Sequence, residues 1–172
     1  MIPQIKRILY ATDLSDNSAY VFRYAIDSAK KYDAGIIILH VLEPMSATTK
    51  AITHSYLTKE EVKKISEENS AYVKDHIKKQ LKIFYEKEFK KDPDIADRVE
   101  SIELCGGFPA EMILRKADEL NCDAIILGSH GKGFIQNTFL GSTSKRVLRR
   151  TRKPVLIIPL PKGETDITLQ NI

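Results

Sequence analysis

Cysteine is scarce: Cys105 and Cys122 are the only two. Neither belongs to a C-x-x-C, and no histidine cluster has metal-ligand spacing, so a disulfide scaffold and a structural zinc site are excluded. Both cysteines read as small buried residues in a reducing compartment. Glycine and proline are also few, with 8 Gly and 7 Pro, which excludes collagen-like and low-complexity character. No long hydrophobic run is present. The strongest, Ile36 to Leu39, is far short of the ~18 residues of a membrane span. The opening Met1-Ile2-Pro3-Gln4 has no basic leader followed by an apolar stretch, so no signal peptide is expected. The expected location is the cytoplasm, with no membrane partner. Excess charge of one sign is missing too. Lys and Arg number 27 against 23 Asp and Glu, a net charge of +4, which tolerates anionic small molecules but gives no concentrated basic face for nucleic acid. One denser run, Lys145, Arg146, Arg149, Arg150, Arg152 and Lys153, reads as a solvated helix face with favourable charge at a helix C-terminus.

What is present is ordinary globular chemistry. The 172 residues and 42% apolar content suit one domain that needs no staple to fold. Short apolar runs alternate with stretches of helical spacing. Ile5 to Ala11 is the first run. Phe22, Ala25, Ile26 and Ala29 then mark one helix face, with Ser15 as its expected N-cap and Asp16 in its first turn. Ile36 to Leu42 is a continuous run suited to a strand buried on both faces. A loop is expected from Glu43 to Leu57. Thr58 and Glu61 then form a capping box that opens a long helix with Val62, Ile65, Tyr72, Ile77, Leu81 and Phe84 as its stripe, ended by Asp92-Pro93. Val99, Ile102 and Leu104 mark a third strand, followed by Gly106-Gly107. Pro109 starts the next helix, whose core face is Ile113, Leu114, Ala117 and Leu120. Ala124 to Leu127 is a fourth strand, a last helix carries Val147 and Leu148 inward, and Pro154 to Pro159 is a fifth strand.

This alternation predicts an α/β fold: one doubly wound, open, parallel five-stranded sheet in the order 3-2-1-4-5, Rossmann-like, with helices on both faces. Residues 1–160 form one expected domain and residues 161–172 a tail without pattern. Such sheets bind ligands beyond the C-terminal strand ends, where the strand order reverses. The chemistry is therefore expected after strand 1 and after strand 4.

The loop after strand 4 follows Leu127 and runs from Gly128 through His130 and Gly131 to Gly141, Ser142 and Thr143. Its glycines let backbone approach a ligand. Gly141-Ser142-Thr143 leads into a helix, whose free N–H groups and dipole suit an anion such as a polyphosphate. A plain surface loop ending in a serine cap fits the same residues. After strand 1, Ala11-Thr12-Asp13 faces the same crevice, and the Asp13 carboxylate suits a ribose hydroxyl or a base amino group; it also fits an ordinary helix-capping acid. Val41, ending strand 2, offers backbone groups to a base edge. His40 reads as a packed strand-end residue. The P-loop pattern is absent, because Gly133 is followed by Phe134, and the turn after strand 1 has no glycine for a dinucleotide fingerprint. A two-component receiver is excluded as well: it needs an acidic cluster at strand 1, where Asp13 stands alone, and an Asp ending strand 3, where Leu104-Cys105 stands.

The spacing Gly128-x2-Gly131-x9-Gly141-Ser142, the opening Ile8 to Ser15 and the closing Lys153 to Leu156 together resemble the universal stress protein family, over about residues 2–160. The resemblance is to its ATP-binding class. It implies that Asp13 and Val41 face the adenosine, and that Gly128, Gly131, Gly141, Ser142 and Thr143 surround the phosphates. It further implies a divalent ion, Mg²⁺ or Mn²⁺, held mainly by the phosphates, and a homodimer through the last strand, Val155 to Ile158. An apolar edge strand invites such pairing on physical grounds also. The expected function is an ATP-binding regulatory, stress-response protein acting on an unknown downstream protein. His130 and Lys132 lie in the loop where slow hydrolysis would draw on them, but nothing demands fast turnover. A nucleotide-independent dimeric adaptor and an ATP-using ligase or adenylyl transferase are the alternatives.

Overall fold

A computed structural model describes residues 2–15, 17–44, 46–88, 94–130 and 140–159. The 161–172 tail and the Asp92-Pro93 stop lie outside the described residues. The elements are β1 (Arg7–Thr12), α1 (Ser18–Tyr32), β2 (Gly35–Leu42), α2 (Ala47–Tyr56), α3 (Lys59–Glu88), α4 (Asp94–Arg98), β3 (Val99–Gly106), α5 (Pro109–Glu119), β4 (Ala124–Gly128), α6 (Ser142–Arg150) and β5 (Val155–Ile158). The sheet order is β3-β2-β1-β4-β5 and every pairing is parallel, as the alternation predicts. β1 lies at the centre: Leu9 is in register with Ile37 on one side and Ile125 on the other.

Strand side chains alternate between faces, so each apolar run feeds two cores. Ile8, Tyr10, Ile36, Ile38 and Ile126 pack under α1 with Phe22, Ala25 and Ile26, joined by Ile77 of α3 and Ile95 of α4. Leu9, Ile37, Leu39, Ile125 and Leu127 pack under α5 and α6 with Ala110, Ile113, Ala117 and Val147. A parallel sheet covered on both faces has no reason to alternate polar with apolar, which is why these strands read as continuous runs.

Local signals succeed where they are self-contained. In the capping box, the Thr58 N–H donates to Glu61 Oε2 at 2.7 Å and the Glu61 N–H donates to Thr58 Oγ1 at 3.3 Å; the Thr58 N–H, with the Thr58 hydroxyl donating to Oε2 at 2.8 Å, holds the Glu61 carboxyl below its usual range. Pro109 stands in the first turn of α5.

Several expectations are corrected. Of the pair expected to point inward on α6, Val147 is buried and Leu148 is exposed, and of the expected stripe on α3, Ile77 is buried while Ile65 and Tyr72 are exposed. Ser15 does not cap α1. The Asp13 carboxylate takes the Ser15 N–H at 3.0 Å, Leu14 sits at φ 58°, and the helix begins only at Ser18, preceded by Asn17 with no side-chain cap bond. Ser15 contributes its carbonyl instead, accepting from the Ser18 N–H at 2.9 Å and from Ser18 Oγ at 2.7 Å; Asp16 lies outside the described residues. The Glu43–Leu57 stretch is not all loop, since it holds α2, started by Ser46, whose hydroxyl accepts from the Thr49 N–H at 3.1 Å. The third strand extends one residue into the glycine pair and is preceded by the short α4, whose Ile95 is fully buried.

Gly107 follows β3 at φ +145° and donates its N–H to Leu42 O at 3.0 Å, tying the ends of β2 and β3 together. A Cβ there would stand 2.8 Å from Met112 Cγ and 3.0 Å from its sulfur. Gly107→Ala therefore combines backbone strain with overpacking and is expected to cost about 1–3 kcal/mol in urea unfolding.

Two buried acids set the alkaline limit of stability. Burial pushes the Cys122 thiol up to about 11 and raises the Tyr10 phenol also. Tyr10 donates to Ser18 O at 2.7 Å and packs on Phe22. Both groups stay protonated in the folded chain after their unfolded counterparts have ionised. The unfolded state then binds fewer protons, so stability falls as pH rises from about 8.5 towards 11. Urea midpoints are expected to hold from pH 7 to 8.5 and then decline, and Cys122→Ala to flatten the first part of that decline.

Candidate functional site

The order in which strands are added reverses between β1 and β4, and the chain beyond their C-terminal ends is braced by short polar bonds. After β1, Thr12 Oγ1 accepts the Leu14 N–H at 3.1 Å, and Asp13 Oδ1 accepts from Ser15 as described. His40 Nδ1 lies 2.8 Å from Thr12 O. A carbonyl only accepts, so Nδ1 carries the proton and His40 clamps the end of β1 to β2. This is the packed strand-end role that its position suggests.

After β4, the Ser129 N–H donates to Ile158 O at 2.8 Å, and the Gly141 N–H donates to Ser129 O at 2.8 Å. Ser144 Oγ donates to Gly128 O at 2.9 Å, and Ser129 Oγ lies 3.0 Å from His130 Nδ1. The two ends of the glycine-rich loop are thus stitched to each other. Gly141 eases this approach: a Cβ on it would lie 3.3 Å from Ser129 O, close enough to need a shift of a few tenths of an ångström, and 3.6 Å from His130 Cα, both backbone.

The start of α6 is brought beside the end of β4 with its first N–H groups unclaimed by a cap. Gly141 has φ −64° and ψ 160°, no side-chain cap bond is made, and no acid occupies the first turn. The first N–H groups of a helix have no partner within it. They form a ready donor set, backed by the dipole, for an anion.

A cleft of about 860 Å³ opens at this place, within the range of small-molecule sites. Ala11, Thr12 and Asp13 line it from β1, and His40 and Val41 from β2. Leu127, Gly128 and His130 line it from β4, and Gly141, Ser142 and Thr143 from α6. Every described residue expected from the sequence to form a site therefore borders one cleft. Gly131, together with Lys132, lies outside the described residues. The sequence reading missed Glu43 beyond β2, Pro109 and Ile113 of α5, and Lys145 of α6. The α5 pair carried no signal beyond its helix-start and core pattern. Lys145 had one: it stands four residues after Gly141, on the same helix face.

Among the described residues no group of three His, Cys, Asp or Glu side chains is placed to hold a metal ion. No helix among them is long and apolar enough to cross a membrane.

The universal stress protein family profile matches residues 4–159, and the chain belongs to that family. It is 29% identical over 153 residues to universal stress protein MJ0577 of Methanocaldococcus jannaschii, covering 89% of this chain and 94% of that one. It is 31% identical over 152 residues to universal stress protein YxiE of Bacillus subtilis, covering 88% and 97%. The solved structure of MJ0577 superposes with a TM-score of 0.67 at 23% identity, covering 94% of this chain and all of that one. A universal stress protein solved in complex with cAMP has the same fold, with a TM-score of 0.50 at 22% identity, covering 91% and 98%.

Proposed function

We propose that the cleft binds an adenine nucleotide, ATP with Mg²⁺ or Mn²⁺, and that the protein is a nucleotide-responsive regulator within its family. The carrying observation is the uncapped start of α6, set against the end of β4 and opening on the cleft. Gly128, Gly141, Ser142 and Thr143 would take the phosphates, with Gly131 added from the sequence pattern. Ala11, Thr12, Asp13 and Val41 would take the adenosine, with Leu127 as apolar floor and His130 at the loop's edge. The divalent ion would travel on the phosphates. The cAMP complex of a protein with this fold supports an adenine nucleotide as the ligand class. On this reading residues 1–160 are one nucleotide-binding unit working in the cytoplasm, and the downstream partner is a protein.

The test is a calorimetric titration of nucleotide-stripped protein with ATP, ADP and AMP, with and without Mg²⁺. Saturable ATP binding, with a dissociation constant on the order of micromolar, or about −8 kcal/mol, is the expected result. A folded sample that takes up none of the three overturns the reading in favour of a nucleotide-independent adaptor.

We further propose a homodimer through β5. That strand ends the sheet order, and its Leu156 is 44% exposed. An exposed apolar edge is a template for pairing. Sedimentation is expected to show a dimer for the wild type and a monomer for Leu156→Asp, with ATP binding kept. A dimer that survives the substitution removes this edge from the account.

A further inference from the structure

The charges around the cleft are unevenly placed. Its lining carboxylates, Asp13 and Glu43, stand at the ends of β1 and β2. Lys145 stands at the other end, on α6, and is the one Lys or Arg among the described lining residues. A ligand with a neutral head and an anionic tail is thereby oriented, its tail repelled from β2 and drawn towards α6.

Lys145 is also placed to reach back. Its N–H donates to Gly141 O at 3.0 Å, which puts it one turn above Gly141. Side chains on a helix tilt towards its N-terminus, so a long side chain at Lys145 leans over the turn where the N–H groups of Ser142 and Thr143 have no partner among the described residues. Of the other cations in this basic run, Arg150 pairs with Glu111 at 3.6 Å and Lys153 with Asp118 at 3.2 Å, and neither these nor Arg146 and Arg149 line the cleft. Lys145 makes no ion pair with a described residue.

We propose that the Lys145 ammonium reads the number of phosphates, making the cleft selective for a nucleoside polyphosphate over a monophosphate or cyclic monophosphate. This rests on the nucleotide reading above. The helix N–H groups serve a first phosphate whatever follows it. A mobile point charge on a four-carbon stem serves the outer ones, which AMP and cAMP lack.

The experiment is calorimetry with ATP, AMP and cAMP in the presence of Mg²⁺, at two salt concentrations, on the wild type, Lys145→Gln and Lys145→Arg. Lys145→Gln is expected to weaken ATP about tenfold, AMP and cAMP less than about twofold, and to flatten the salt dependence of ATP binding. Lys145→Arg is expected to restore most of the ATP preference. Equal losses for ATP and AMP would reduce Lys145 to a structural role, and an unchanged ATP affinity would remove it from the site. If the wild type binds AMP and ATP but Lys145→Gln keeps their ratio, selectivity alone fails. If the wild type binds none of the three, the nucleotide reading itself falls, and this inference with it.

Discussion

Gly141→Asp is expected to abolish nucleotide binding while leaving the protein folded. Asp is among the best N-cap residues, because its carboxylate accepts from the free N–H groups of the following turn. Position 141 is the N-cap of α6 and has extended backbone that Asp adopts without strain. The new side chain would therefore satisfy, from within, the donors that the cleft offers to an anion. It would also set a negative charge where phosphates are to sit. The loss of several charge-assisted bonds, at about 1.5–3 kcal/mol each, predicts an affinity at least about a hundredfold lower. The added Cβ meets Ser129 O at 3.3 Å, so that backbone must give by a few tenths of an ångström, a cost that the new cap bonds offset. The expected readings are no heat on ATP injection and a thermal midpoint close to the wild type. ATP affinity that survives Gly141→Asp would place the phosphates elsewhere.

Leu9→Ala is expected to produce the largest loss of stability, about 3–5 kcal/mol. Leu9 is fully buried on the central strand, flanked by Ile37 and Ile125 and packed in the core beneath α5 and α6. Neighbours on both sides are held by sheet hydrogen bonds, so the cavity cannot collapse. A domain of this size holds only about 5–15 kcal/mol in total, and the urea midpoint should fall by a large fraction. Ile65→Ala on α3, where the side chain is 49% exposed, should move it by less than about 0.5 kcal/mol. The core and the cleft are linked through β1, because Leu9 lies two residues before Ala11. ATP at a hundred times its dissociation constant should return about 2.7 kcal/mol to Leu9→Ala. A loss below about 1 kcal/mol would mean that β1 is not the centre of the sheet.

The strands were legible because a strand covered on both faces shows as an unbroken apolar run, as in Ile36 to Leu39. Crossover handedness restricted the topology without fixing the strand order; the order 3-2-1-4-5, once taken, located the site before any side chain was placed. α2 was not legible: Ala47 to Tyr56 carries no apolar stripe, and its signal is the Ser46 cap alone. α4 is too short for a periodicity; its apolar anchor among the described residues is Ile95, and Arg98 donates to Ala29 O and Asp33. Ser15 misled because Asp13, two residues earlier, competes for the local backbone and delays the helix. In the cleft, the loops after β1 and β4 could be named from topology. Pro109 and Ile113 could not, since α5 enters the wall through packing between elements distant in sequence. Lys145 was hidden within a basic run that reads as solvated surface. Its face, four residues after Gly141, separates it from Arg146, and its height separates it from Arg149; of the three only Lys145 lines the cleft.

The most direct test of the central claim is the change in backbone amide resonances on adding ATP to isotope-labelled, nucleotide-stripped protein. The account predicts the largest shifts at Ser142, Thr143 and Gly128, with a second group at Asp13 and Val41 and little change along α3. Saturable binding whose shifts fall on α2 and α3, or on β3, would contradict it and move the site away from the reversal between β1 and β4.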